Sequence, residues 1–195
     1  MQSRSVTRPS SAANGPDSRA AWFMVAAAFI AGFVVFGVMY SFGAFFQPMA
    51  AEFHADRAQT SAFFSIAGMI FYMSGSLAGH LSDRLGPRIV VGTGATVMGA
   101  SLMLTASIGQ LWVGYLIYGV GVGIGAACVY LPTLAIVGGW FDRHRNGALG
   151  IAAAGTGCGT LILPPVAATL IQGHGWRVTY LPLASVALCF WPSAR

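Results

Sequence analysis

The stretch GHLSDRLGPR, from Gly79 to Arg88, is short, doubly basic and punctuated by glycine, and it lies between two apolar runs that are each long enough to cross a bilayer. A polar segment in that position reads as a turn at a membrane surface, and the chain on either side of it reads as membrane helix. The composition of the whole chain agrees. Only 8% of the residues are charged, against about a quarter in ordinary soluble domains, and the mean hydropathy is +0.70. A water-soluble fold could not hide so much apolar surface.

A hydrocarbon core of about 30 Å takes roughly 20 helical residues to cross. Working outward from Gly79, the chain offers six such stretches, at about 20–46, 60–80, 89–107, 111–137, 148–171 and 178–190. The sixth is the shortest and ends against Trp191 and Pro192. None alternates apolar and polar residues at every second position, as strands of a membrane barrel do. The fold class expected is therefore an all-α membrane protein with six transmembrane helices.

Orientation follows from arginine, since the chain has no lysine. Arg4, Arg8 and Arg19 precede the first span, Arg84 and Arg88 follow the second, and Arg143 and Arg145 follow the fourth, whereas the other side receives only Arg57 and Arg177. The positive-inside rule then predicts a cytoplasmic N-terminus and, after six spans, a cytoplasmic C-terminus, in a cell inner membrane. Residues 1–19 are rich in Ser, Pro, Ala and Arg without hydrophobic periodicity, and are expected to be a disordered cytoplasmic tail before one transmembrane bundle, 20–195. The apolar run after Arg19 exceeds the length of a signal-peptide core, which favours an uncleaved first span. The net charge of +5 is dispersed over separate loops, so it signals topology and not a nucleic-acid surface.

Ionisable side chains other than Tyr and Cys sit in loops or at span ends. An intramembrane enzyme would need a nucleophile and a base, or metal ligands, meeting at depth; no such set is present, so neither catalysis nor a metal or cofactor is expected. Cys128, Cys158 and Cys189 fall inside spans without metal or disulfide spacing. Gly121 to Ala126 fits a GxGxxA dinucleotide fingerprint in letters, but it lies mid-span, without the soluble βαβ unit that the fingerprint requires. The glycines are better read as packing faces. Gly119 and Gly123, Gly121 and Gly125, Gly155 and Gly159, and Gly75 and Gly79 are each spaced four apart. Small residues at that spacing share one helix face and admit a neighbouring backbone.

Gly79, Leu81, Asp83, Arg84, Gly86 and Arg88 match the G-x-L-x-D-R-x-G-x-R signature that joins helices two and three in the major facilitator superfamily of secondary transporters, and the chain resembles that superfamily. Residue chemistry suits such a connection: Gly86 permits a tight turn, Pro87 restarts a helix, and Asp83 can accept hydrogen bonds from helix amides or an arginine. The resemblance implies that this segment is a cytoplasmic gating latch in which Asp83 reaches the other half of the transporter. It also implies that the six spans form one half of the fold, itself a 3+3 inverted repeat, with a second six-helix half as partner.

A second stretch narrows the resemblance. WFDRHRNGALGIAAAGTGCGTLILPPVAATLIQGHGWR, from Trp140 to Arg177, is similar to the fourth-to-fifth-helix loop and fifth helix of the monocarboxylate transporter family. Tyr115 stands where many facilitator drug exporters carry an arginine, four residues before Gly119. What this implies is transport of a small organic anion, with proton coupling left open and with Arg143 and Arg145 in the second cytoplasmic loop. By helix order the first and fourth spans would line the path, making Phe36, Tyr40 and Tyr115 its candidate contacts. Asp17 and Trp22 are what remains of the family's usual approach to helix one. Three readings stay open: part of a longer transporter, a half-length chain that works as a homo- or hetero-oligomer, and a membrane interaction protein without transport.

Overall fold

The computed structural model describes residues 19–141 and 144–188. Nearly all of the expected tail, Arg143, Cys189 and the last residues of the sixth expected span lie outside them. Six helical rods follow in order: α1 (Arg19–Glu52), α2 (Arg57–Leu85), α3 (Pro87–Thr105), α4 (Leu111–Trp140), α5 (Arg145–His174) and α6 (Trp176–Leu188). The first five are long and apolar enough to cross a membrane. The described part of α6 has 13 residues.

The helices overrun the apolar stretches. α1 continues through Pro48 to Glu52, α2 begins at Arg57 and ends at Leu85, and α5 runs from Arg145 to His174. The reason is that intrahelical hydrogen bonding continues past the apolar residues until a residue with another backbone conformation stops it. At the start of α2 that stop is a capping box: the Asp56 carboxylate accepts from the Gln59 amide at 2.7 Å, and the Gln59 side chain accepts from the Asp56 amide at 3.0 Å. At its end Gly86, with φ +86°, donates its N–H to the Ser82 carbonyl at 3.0 Å. Pro87 occupies the first position of α3, where its missing N–H costs nothing. Gly175, with φ +79°, separates α5 from α6 in the same way.

Packing is mostly by long helix pairs. α1 lies along α5, α4 lies between α2 and α3, and α6 packs on α3. Exchanging α1–α3 with α4–α6 turns the α1·α5 pair into the α4·α2 pair, the relation expected of a 3+3 inverted repeat. Both of these pairs are built on glycine. A Cβ on Gly155 or Gly159 would overlap the carbonyl oxygens of Phe29 and Phe33 in α1. One on Gly119 or Gly123 would strike Ile66, or Ile70 and the Ala67 carbonyl, in α2, at 2.7 to 2.9 Å. Gly121 and Gly125 turn to α3 instead, against Ser101 and Met98, where Gly94 meets Cys128.

The core holds Phe42, Phe45, Phe63, Met98, Leu102, Tyr118 and Tyr180. Among the described residues its buried polar side chains are the hydroxyls of Ser41, Thr60, Ser101, Thr105, Thr133 and Thr179, apart from tyrosine. Those of Ser41, Thr105 and Thr133 donate to the carbonyl four residues back at 2.6 to 2.7 Å, so no partner on another helix is needed. α2 and α5 are the least covered: their most apolar windows are 22% buried, against 50–56% for α1, α3 and α4.

Candidate functional site

The segment from Gly79 to Arg88 is almost entirely helical. Gly79, Asp83 and Arg84 ride the last turns of α2 and Arg88 the first turn of α3, leaving Gly86 as the whole connection. Asp83, Arg84 and Arg88 are exposed. The hydrogen bond expected on Asp83 is not made among the described residues, because α2 stays helical to Leu85 and the aspartate cannot fold back over the start of α3. Ser76, Leu77, His80, Leu81 and Arg84 line a shallow open recess of about 350 Å³ on the outer face of α2. A Cβ on Gly79 would meet nothing within 4 Å, while one on Gly75 would touch Leu131 at 2.9 Å. Arg145 opens α5 and lies near Gly138; Arg143 is outside the described residues.

Phe36 and Tyr40 come together, with ring centroids 6.4 Å apart and stacked. Phe36 also meets Phe71 at 5.7 Å and Tyr130 at 5.0 Å, both edge-on, and Tyr40 meets Phe64 at 5.5 Å. The result is an aromatic wall drawn from α1, α2 and α4, with Tyr40 half exposed. Tyr115 is not part of it. Its ring packs on Phe63 at 4.8 Å, and its hydroxyl donates to the Gln59 carbonyl at 2.8 Å in the first turn of α2. Nothing in the sequence singles out Phe64, Phe71 and Tyr130, because the first, second and fourth spans each carry several aromatic residues. Their depth relative to Phe36 appears only once the helices are aligned.

The end of the bundle opposite Gly86 carries a polar clasp. The Arg177 guanidinium pairs with Glu52 at 2.6 Å and donates to the carbonyls of Ala106 at 2.8 Å and Ile108 at 2.9 Å. Trp176 Nε1 donates to the other Glu52 oxygen at 2.5 Å, and the guanidinium stands 4.5 Å from the Trp176 ring. One arginine thus joins the end of α1, the α3–α4 turn and the start of α6. The only sequence signal for it was the Gly-Trp-Arg string ending at Arg177.

Residues 28–192 match the family model of the Major Facilitator Superfamily. The chain belongs to that superfamily, and the six helices form half of its fold. More particularly, it is 32% identical over 173 residues to monocarboxylate transporter 13 of Rattus norvegicus, covering 89% of this chain and 40% of that one. It is 33% identical over 182 residues to monocarboxylate transporter 11 of Homo sapiens, covering 92% and 38%. The chain thus spans about two fifths of the length of these relatives. Among solved structures, the inward-open xylose transporter XylE from E. coli superimposes with a TM-score of 0.75 at 16% identity, over 89% of this chain and 47% of that one. The peptide transporter POT in complex with alafosfalin gives 0.76 at 20% identity, over 94% and 41%. At those identities the structures speak for the fold.

Proposed function

We propose that this chain is the gate-bearing half of a secondary transporter for small organic anions of the monocarboxylate type, and that it works against a second six-helix half. The observation that carries the reading is the kinship to monocarboxylate transporters along nearly the whole described bundle. The aromatic wall suits a small anion: Phe36, Phe71 and Tyr130 offer apolar packing to a short carbon chain, and the half-exposed Tyr40 hydroxyl offers a hydrogen-bond donor to a carboxylate. A carboxylate at bilayer depth also needs a cation. Among the described residues, arginines lie only at helix ends, so the second half supplies that charge. The uncovered faces of α2 and α5 are where that half docks.

In this reading the Gly86 end faces the cytoplasm, and Asp83, Arg84 and Arg88 latch the two halves when that side is closed. Their exposure leaves them free for the partner. Alternating access then rocks this half against its mate around the aromatic wall.

The test is uptake of radiolabelled lactate into proteoliposomes that contain this chain together with the complementary six-helix half of a monocarboxylate transporter. Saturable uptake above that of either half alone supports the proposal. No uptake, with both halves shown to be inserted and associated, overturns it. Uptake by this chain alone would replace the second half with a second copy of the same chain.

A further inference from the structure

Tyr118 is 1% exposed, with its ring set among Phe42 at 5.3 Å, Phe63 at 6.2 Å and Tyr180 at 6.2 Å. Its hydroxyl has no hydrogen-bond partner among the described residues. Burying a hydroxyl in that condition is unfavourable, and phenylalanine would fill the same space without it. The buried hydroxyls of Ser41, Thr60, Thr105, Thr133 and Thr179 turn back onto the carbonyl four residues before them, which a tyrosine ring prevents. Tyr180 does find an acceptor, weakly, in the Met49 sulfur at 3.7 Å. Tyr118 is therefore the exception that packing does not explain.

A second observation concerns the same place. From Tyr115 to Val122 α4 widens into a π-helix, with regular α-helix before it (Leu111–Gly114) and after it (Gly123–Trp140). A wide stretch inside an α-helix holds a surplus of chain for its length, and such stretches recur at functional sites. Closing one by a residue turns the chain beyond it by about 100° and moves it by about 1.5 Å. Gly119, Gly121 and Gly123 present no Cβ to α2 and α3 over this stretch. Its one polar bond to another helix, among the described residues, is that of the Tyr115 hydroxyl to the Gln59 carbonyl, at the stretch's outer margin.

We propose that α4 has two registers, wide and closed, and that Tyr118 is the positioning residue that favours the closed one, where its hydroxyl gains the hydrogen bond it lacks here. The inference rests on the transport reading, because a second register is of use only to a bundle that changes state. Closing the stretch releases Tyr115 from Gln59, so the outer end of α4 turns while Gly123 to Trp140 stays packed on α2 and α3. In the wide register the hydroxyl weakens the structure; in the closed register it supports it.

Tyr118→Phe separates this from plain packing. The variant is expected to unfold at the same temperature as the unaltered chain or a few degrees higher, while lactate uptake with the complementary half falls about tenfold, the factor carried by one hydrogen bond made only in the passing state. Unaltered uptake by Tyr118→Phe overturns the proposal. A clear loss of thermal stability also overturns it, since the hydroxyl would then be bonded already. If the unaltered pair takes up no lactate, the transport reading fails separately, and amide hydrogen exchange of this chain in vesicles decides the inference. Faster exchange over 115–122 than over 124–137, slowed by Tyr118→Phe, sustains two registers; equal protection in both stretches, or exchange over 115–122 that the substitution leaves unmoved or accelerates, rejects them.

Discussion

Replacing Gly155 by alanine would drive a Cβ into the Phe29 carbonyl oxygen, and only the backbone of α1 could move to relieve it. We expect Gly155→Ala to cost about 1–3 kcal/mol, the usual range for overpacking, seen as a lower unfolding temperature in detergent by tryptophan fluorescence. Gly79 is the opposite case: it lies inside α2 with open space where its Cβ would be. On its own the chain should gain up to about 1 kcal/mol from Gly79→Ala, the helix-propensity difference between the two residues. If the latch reading holds, the same substitution slows uptake once the second half is present. Asp83→Asn should leave membrane insertion and thermal stability unchanged, because the carboxylate makes no hydrogen bond or ion pair among the described residues, yet lower lactate uptake by the paired halves. Uptake at the unaltered rate would remove Asp83 from the latch.

At the scale of elements, Arg177 decides how three segments meet. Its side chain and that of Glu52 are 37% and 42% exposed, so the charge attraction is screened and worth at most about 1 kcal/mol. The two carbonyl bonds add to this, and we expect Arg177→Ala to cost about 1–2 kcal/mol in the same unfolding assay. Exchanging the pair, Glu52→Arg with Arg177→Glu, should not restore stability, because it faces the Ala106 and Ile108 carbonyls with a carboxylate. Full recovery by the exchange would mean that the ion pair alone matters.

This end of the bundle also shows where sequence reading runs out. Spans, the Gly86 turn and the glycine spacings are local, set by runs of apolar residues and by periods of four. Glu52 and Arg177 stand 125 positions apart, and each alone reads as an ordinary charge at a helix end. The wide stretch of α4 has no signature at all, since YLIYGVGV is as apolar and glycine-rich as its flanks. Helix order alone groups Tyr115 with Phe36 and Tyr40. Helix order gives no depth, and the first turn of α2 takes its hydroxyl.

For the molecule as a whole, the arginine distribution predicts that the start of α5 faces the cytoplasm. A cysteine introduced at Asn146 should react with a membrane-impermeant maleimide only in inverted vesicles, and reaction from outside intact cells would reverse the assigned orientation. The exposed side of α2 mixes large apolar side chains, Met69, Tyr72, Met73 and Leu77, with the hydroxyls of Ser61, Ser65 and Ser76 and with His80, and in the proposed pairing the second half covers that mixed face.

The clasp has a consequence in time. A ribosome delivers Glu52 long before Arg177, with most of the bundle made in between, and until then the α1 terminus holds a carboxylate beside the negative end of its own helix. That end of α1 and the α3–α4 turn are closed only when α6 arrives. A nascent chain stalled before Arg177 therefore carries an open seam where α1, the α3–α4 turn and α6 would meet.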